Sequence, residues 1–204
     1  MRSSTLLAMA LALAACACTE TPPQAIDESD AADAYTVMSE EQFRTMAAQS
    51  GLSAEAHRDL AAARRASAPF HRVEAAMAAG WPRDVTGCLT FPDGYMQFGP
   101  GTMGLHYLNV AAYLDDGTLE PTTPEALLYE PQADGSLRLT AVEYIIPESR
   151  LPRTAPPPVM FGQEMMFHPQ FEAWAIHAWL WRHNPYGIFA DVNPLVNCEF
   201  AAQP

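Results

Sequence analysis

The chain has 204 residues, 49% of them hydrophobic, with eleven basic against twenty-four acidic side chains and a net charge of −13 with histidine neutral. Such an acidic surface repels nucleic acid and anionic bilayer surfaces, so neither is an expected partner. Gly-rich phosphate loops, C-x-x-C pairs and G-x-S-x-G elbows are missing from the sequence, which leaves nucleotide binding and serine hydrolase chemistry unsupported.

Residues 1–15, MRSSTLLAMALALAA, place one Arg ahead of an apolar stretch that ends in small residues, the layout of a secretory signal and too short to span a bilayer. Leu13, Ala14, Ala15 and Cys16 resemble the bacterial lipobox, where cleavage precedes a Cys whose thiol carries diacylglycerol. Cys16 is therefore the expected lipidation site, and the lipid on it is the expected contact with the membrane. The same resemblance implies that Ala17, which is not Asp, sends the protein to the outer membrane facing the periplasm in a Gram-negative host. An ordinary cleaved signal with an incidental Cys is the alternative.

Residues 16–37 are acidic, contain Pro22 and Pro23 and show no apolar period, so a flexible tether is expected there and a single globular domain over 38–204. With Cys16 lipidated, Cys88 and Cys198 are the pair inside the folded region, in a compartment where disulfides persist. A loop of about a hundred residues closed by that bond is worth on the order of 4–5 kcal/mol in the chain-entropy account. Cys18 has no evident partner.

Three helices come first. Ser39 and Gln42 have capping-box spacing with Gly51 as a stop, Ser53 caps a second helix through about Arg65, and Pro69 opens a third that ends at Gly80. Strand and turn signals follow: residues 103–113 as a strand, then a hairpin of residues 126–130 and 137–146 turning at Asp134-Gly135. Residues 147–158 are Pro-rich and read as extended loop, after which Pro169 opens a Trp-rich helix to about Arg182, stopped before Asn184-Pro185.

Strand alternation puts His106 on a face with Leu108, Val110 and Ala112, and Glu143 on a face with Leu137, Leu139, Ala141 and Ile145. Helical spacing puts His177 on a stripe with Trp174, Ala178 and Trp181, and His183 in the last turn. Each is a polar group on an apolar face, and a buried carboxylate needs a partner. His106, Glu143 and His177 thus form a candidate two-His, one-carboxylate metal set, with His183 the weaker candidate; that composition suits zinc or iron. A buried polar network without an ion is the competing account. Met160, Met165, Met166 and His168 offer softer donors of the kind copper takes, although methionines also fill irregular gaps in cores.

The segments GTMGLHYLN, LLYEPQADGSLRLTAVEY, PPPVMFGQ and HAWLWRHNPYGIF…NPLVNC resemble a family of bacterial secreted and lipid-anchored proteins with G-M-G-x-H-Y-x-N and H-x-W-x-W-x-H-N-P-x-G-x-F motifs. The resemblance spans about Pro69 to Cys198. It implies an exported, single-domain, disulfide-closed protein and brings no catalytic role with it.

The expected architecture is α+β, with N-terminal helices and a C-terminal Trp-rich helix packed on a small antiparallel sheet and one disulfide. The expected function is extracytoplasmic binding of a metal ion or small ligand. The rivals are a metal-dependent envelope enzyme and a non-catalytic structural or partner-binding lipoprotein. For the anchor, Cys16→Ser should abolish incorporation of labelled palmitate and release the protein from the membrane fraction; undiminished labelling would contradict the lipobox.

Overall fold

A computed structural model describes residues 37–115 and 117–202. The lipobox, Cys16, Cys18 and the acidic tether up to residue 36 lie outside them. The N-terminal helices form where their caps direct. Ser39 Oγ accepts from the Gln42 amide at 3.2 Å while Gln42 Oε1 accepts from the Ser39 amide at 2.8 Å, opening α1 (Glu40–Gln49). Ser53 caps α2 (Ala54–Ser67). The third expected helix is split: a 3-10 turn, Ala68–His71, and then α3 (Val73–Ala79), separated by extended Arg72 and ended by left-handed Gly80.

The strands are β1 (Leu89–Phe91), β2 (Gly101–Leu108), β3 (Ala126–Pro131), β4 (Leu137–Pro147), β5 (Val159–Met160), β6 (Gln163–Glu164), β7 (Met166–His168) and β8 (Ala173–Ala178). Six of them make an antiparallel sheet in the order β1-β2-β3-β4-β8-β7, and β5 and β6 pair separately. The expected strand over residues 103–113 stops at Leu108. Asn109 Oδ1 instead accepts from the amides of Ala111 and Ala112, both at 3.2 Å, and starts a single helical turn, α4 (Val110–Tyr113). Val110 and Ala112 therefore leave the strand face assigned to His106.

The main correction is at the C-terminus, where the segment read as a Trp-rich helix is β8. Pro169 lies in the turn of a β7–β8 hairpin rather than at a helix start, and Glu172 in that turn has φ 49°. Residues 173–176 alternate small and large, Ala-Trp-Ala-Ile, ahead of His177 and Ala178, and all six are buried. On a helical wheel such a run looks apolar all round, the same reading that a strand buried on both faces produces. Pairing with β4 on one side and β7 on the other decides for the strand.

The sheet separates two apolar clusters. One face carries Leu127, Tyr129, Val142, Tyr144, Trp174 and Ile176 against the helices, including Phe43 and Leu60. The other carries Ala126, Leu128 and Ala141 under Met103, Trp179, Val192 and Val196. The residues after β8 fold over this second face: Thr102 and Asn193 exchange backbone hydrogen bonds of 3.1 and 3.0 Å, and Trp179 Nε1 donates to the Ala190 carbonyl at 2.6 Å. The Cys88–Cys198 disulfide ties the end of that segment to the residue before β1.

Two bulges set which side chains face which cluster. Thr140 is the extra residue where β4 passes β3, since Leu128 pairs with Ala141 and Tyr129 with Leu139. Leu137 and Leu139 consequently turn to the helix side, while Ala141, Glu143 and Ile145 stay on the other. In β2 the extra residue is Met103, beside Gly104 at φ +101°, where an added Cβ would lie 2.6 Å from the Tyr129 carbonyl oxygen. Only glycine fits both constraints. Gly104→Ala should cost on the order of 3 kcal/mol; denaturant unfolding checks this, and a change under about 0.5 kcal/mol would be at odds with the bulge.

Candidate metal centre

The sheet register assembles the site. Glu143 on β4 pairs directly with His177 on β8, and His106 on β2 lies across β3, past the small Ala126 and Leu128. The expected convergence of these three is present, but His177 reaches it from a strand rather than from beneath a helix. His106 Nε2 is 3.6 Å from one Glu143 carboxylate oxygen and His177 Nε2 is 3.7 Å from the other. One ligand atom from each of the three residues falls within 4.8 Å of the other two, and all three are buried.

These separations bear on the chemistry. They exceed hydrogen-bond range, so the carboxylate and imidazoles do not satisfy one another directly. Donors about 2 Å from a tetrahedral ion lie roughly 3.3 Å apart; the two His–Glu spacings are a little longer, and the set of one atom per residue spans up to 4.8 Å. Both ring nitrogens of His177 are buried without a hydrogen-bond partner, an arrangement that is costly unless a further species meets them.

Thr86 and Asp84 hold His106 in place. Its Nδ1 is 3.0 Å from Thr86 Oγ1, and that hydroxyl lies 2.8 Å from the Gly87 carbonyl oxygen and 3.4 Å from Asp84 Oδ1. A hydroxyl proton given to Gly87 leaves Thr86 Oγ1 to accept from His106 Nδ1–H, whereas one given to His106 Nδ1 leaves the ring hydrogen on Nε2, facing Glu143. Asp84 also accepts the His106 backbone amide at 2.8 Å, which fixes the strand at this point.

Electrostatics separate the groups. Burial, with His177 adding to it and the Gly104 backbone opposing, takes His106 down to about 3, so its ring is neutral. Burial raises the Glu143 carboxyl; His177 opposes this and Asp191 adds to it. Burial would lower His177, but Glu143 and then Asp191 outweigh it and leave it raised.

Sequence reasoning missed Asp191, whose Oδ1 is 3.8 Å from both His177 Nδ1 and His168 Nε2. It sits in the segment after β8, which has no periodicity to read, and is placed by Asn184 Nδ2 on the Val192 carbonyl at 3.0 Å and by Asn193 pairing with Thr102. His168 is lowered by burial against the opposing pull of Asp191, and its Nδ1 is 2.9 Å from the Tyr95 hydroxyl. Burial, then Asp191 and Glu143, raises Tyr95. A chain of buried polar groups thus runs from Tyr95 through His168, Asp191 and His177 to Glu143 and His106.

The other candidates lie elsewhere. His183 is exposed and contributes only its carbonyl, to Asn193 Nδ2 at 2.9 Å, so it is no part of this centre. Met160 and Met165 are buried in the helix-side cluster, whereas His168 joins Tyr95 and Asp191. No family model, curated protein or solved structure matches the chain.

A cavity of about 180 Å³ opens beside the centre, with His106, Glu143 and His168 among its lining residues. Behind it, Glu125 accepts the Ile145 amide at 2.9 Å and is 2% exposed; burial, opposed by that hydrogen bond, raises its carboxyl to about 7. Because the folded value lies above the unfolded one, the stability this group contributes is complete below about pH 4.5 and is lost as pH rises to about 7. Glu125→Gln, which cannot ionise, should be more stable than wild type at pH 8 by on the order of 2–3 kcal/mol and nearly equal to it at pH 4.5. Urea unfolding at both pH values checks this, and a less stable variant at pH 8 would contradict it.

Proposed function

We propose that this chain is a lipid-anchored extracytoplasmic protein that binds a divalent metal ion, zinc or iron, through His106, Glu143 and His177, and a small ligand in the adjoining cavity. The observation that carries the metal reading is the geometry of three buried donors too far apart for hydrogen bonds and close enough to share an ion. Thr86 on His106 Nδ1, and Asp191 beside the far nitrogen of His177, resemble the outer-shell partners that orient metal-bound histidines. The address rests on the lipobox and is supported by the disulfide, a bond that persists in oxidising compartments. None of the described helices is long and apolar enough to cross a membrane.

The cavity reaching His106 and Glu143 favours a second reading, a metal-dependent envelope enzyme. Three protein ligands leave a zinc or iron ion a position for water or substrate, where it acts as a Lewis acid. In either case this chain's residues have defined tasks: Thr86 and Asp84 hold His106, Asp191 orients His177, and the apolar wall excludes bulk water.

Metal analysis of tag-free protein after exposure to Zn(II) or Fe(II) should find about one ion per chain in wild type and at least tenfold less in His106→Ala. Chelation should lower the wild-type melting temperature by on the order of 5 °C or more and leave His106→Ala unmoved. Equal metal contents in the two proteins, or none in either, would refute the centre.

A further inference from the structure

The cavity beside the centre has a composition that constrains what enters it. Val85, Leu89, Leu108, Ile145 and Phe171 supply an apolar wall, and its polar lining is Thr86, His106, Tyr113, Glu143 and His168, of which His106 and Glu143 approach within 3.6 Å of each other. No arginine lines it, and the chain has no lysine. Its volume, about 180 Å³, slightly exceeds the roughly 150 Å³ cavity that takes up one benzene.

Charge narrows the class further. An anionic ligand would add a charge inside an apolar wall, with no guanidinium or ammonium to meet it.

We infer that the cavity binds an uncharged, largely apolar small molecule of about six to nine non-hydrogen atoms, with one oxygen or nitrogen donor at the end facing His106 and Glu143. This deepens the ligand-binding reading above and rests on it for the donor end; the size and apolar character follow from the wall alone.

Four probes of one shape test it by calorimetry on the full chain, with metal content assayed in the same sample: benzyl alcohol, benzylammonium, benzoate and toluene. Benzyl alcohol should bind at least tenfold more tightly than benzoate or benzylammonium and severalfold more tightly than toluene. Val85→Trp, at an exposed position on the cavity rim, should weaken benzyl alcohol at least tenfold while metal content and melting temperature hold; Ala173→Leu, deeper in the wall, should do the same if it folds. Benzoate binding as tightly as benzyl alcohol, an unchanged affinity in Val85→Trp, or no binding by any probe at millimolar concentration would overturn the inference. If wild type holds no metal yet benzyl alcohol still binds ahead of benzoate and is weakened by Val85→Trp, the metal reading fails and the neutral apolar ligand class stands.

Discussion

The constraint on which this structure turns is a carboxylate buried in the middle of a sheet. Glu143 lies on β4, the strand that pairs with both β3 and β8. Ionised and alone, a carboxylate there would be strongly unfavourable. What surrounds it is two imidazoles, from β2 and β8, neither within hydrogen-bond distance. At that separation both ring nitrogens of His177 stay buried without a hydrogen-bond partner.

The backbone is shaped to permit this. Ala126 on β3 is small, so His106 and Glu143 approach each other across an intervening strand. The Met103–Gly104 bulge keeps Met103 and His106 on one face although they are three residues apart, and the Thr140 bulge sends Leu139 to the helices while retaining Glu143 beside Ala141. Both devices occur in strands buried on two sides, where a slip of one residue would expose the polar set to the wrong cluster. The helices anchor the opposite face. Arg64 donates to the carbonyls of Leu180 and, at 2.6 Å, Met38, and lies 3.9 Å from the Trp181 ring centroid, tying α2 to the segment that leaves β8.

That segment does two jobs at once. Pinned by Asn193, Trp179 and the Cys198 disulfide, it closes the second apolar cluster and brings Asp191 against the far side of His177. Its fixed position sets an irregular run of chain beside the cluster of His106, Glu143 and His177. Cluster packing and site assembly therefore share the same residues, and loosening the C-terminal segment disturbs both.

Much of this was legible in the sequence where the signal is local. The Ser39 capping box, the Ser53 cap, Gly51 and Gly80 after their helices, the Asp134-Gly135 hairpin and the cysteine pairing depend on neighbouring residues or on elimination, and the structure has them. Polar residues inside apolar runs singled out His106, Glu143 and His177, because burial of such groups is costly wherever it occurs, although Val110, Ala112, Leu137 and Leu139 leave the faces expected for them and His177 lies on a strand. Three matters were decided only by tertiary structure. Residues 173–178 satisfy a buried helix and a two-sided strand equally, and the free edges of β4 and β7 choose the strand. The bulges at Met103 and Thr140 arise from strand pairing and leave no mark in the period. Asp191 gains its role from a fold-over of aperiodic chain, held by asparagines whose partners lie up to about ninety residues away, a distance over which no local preference acts.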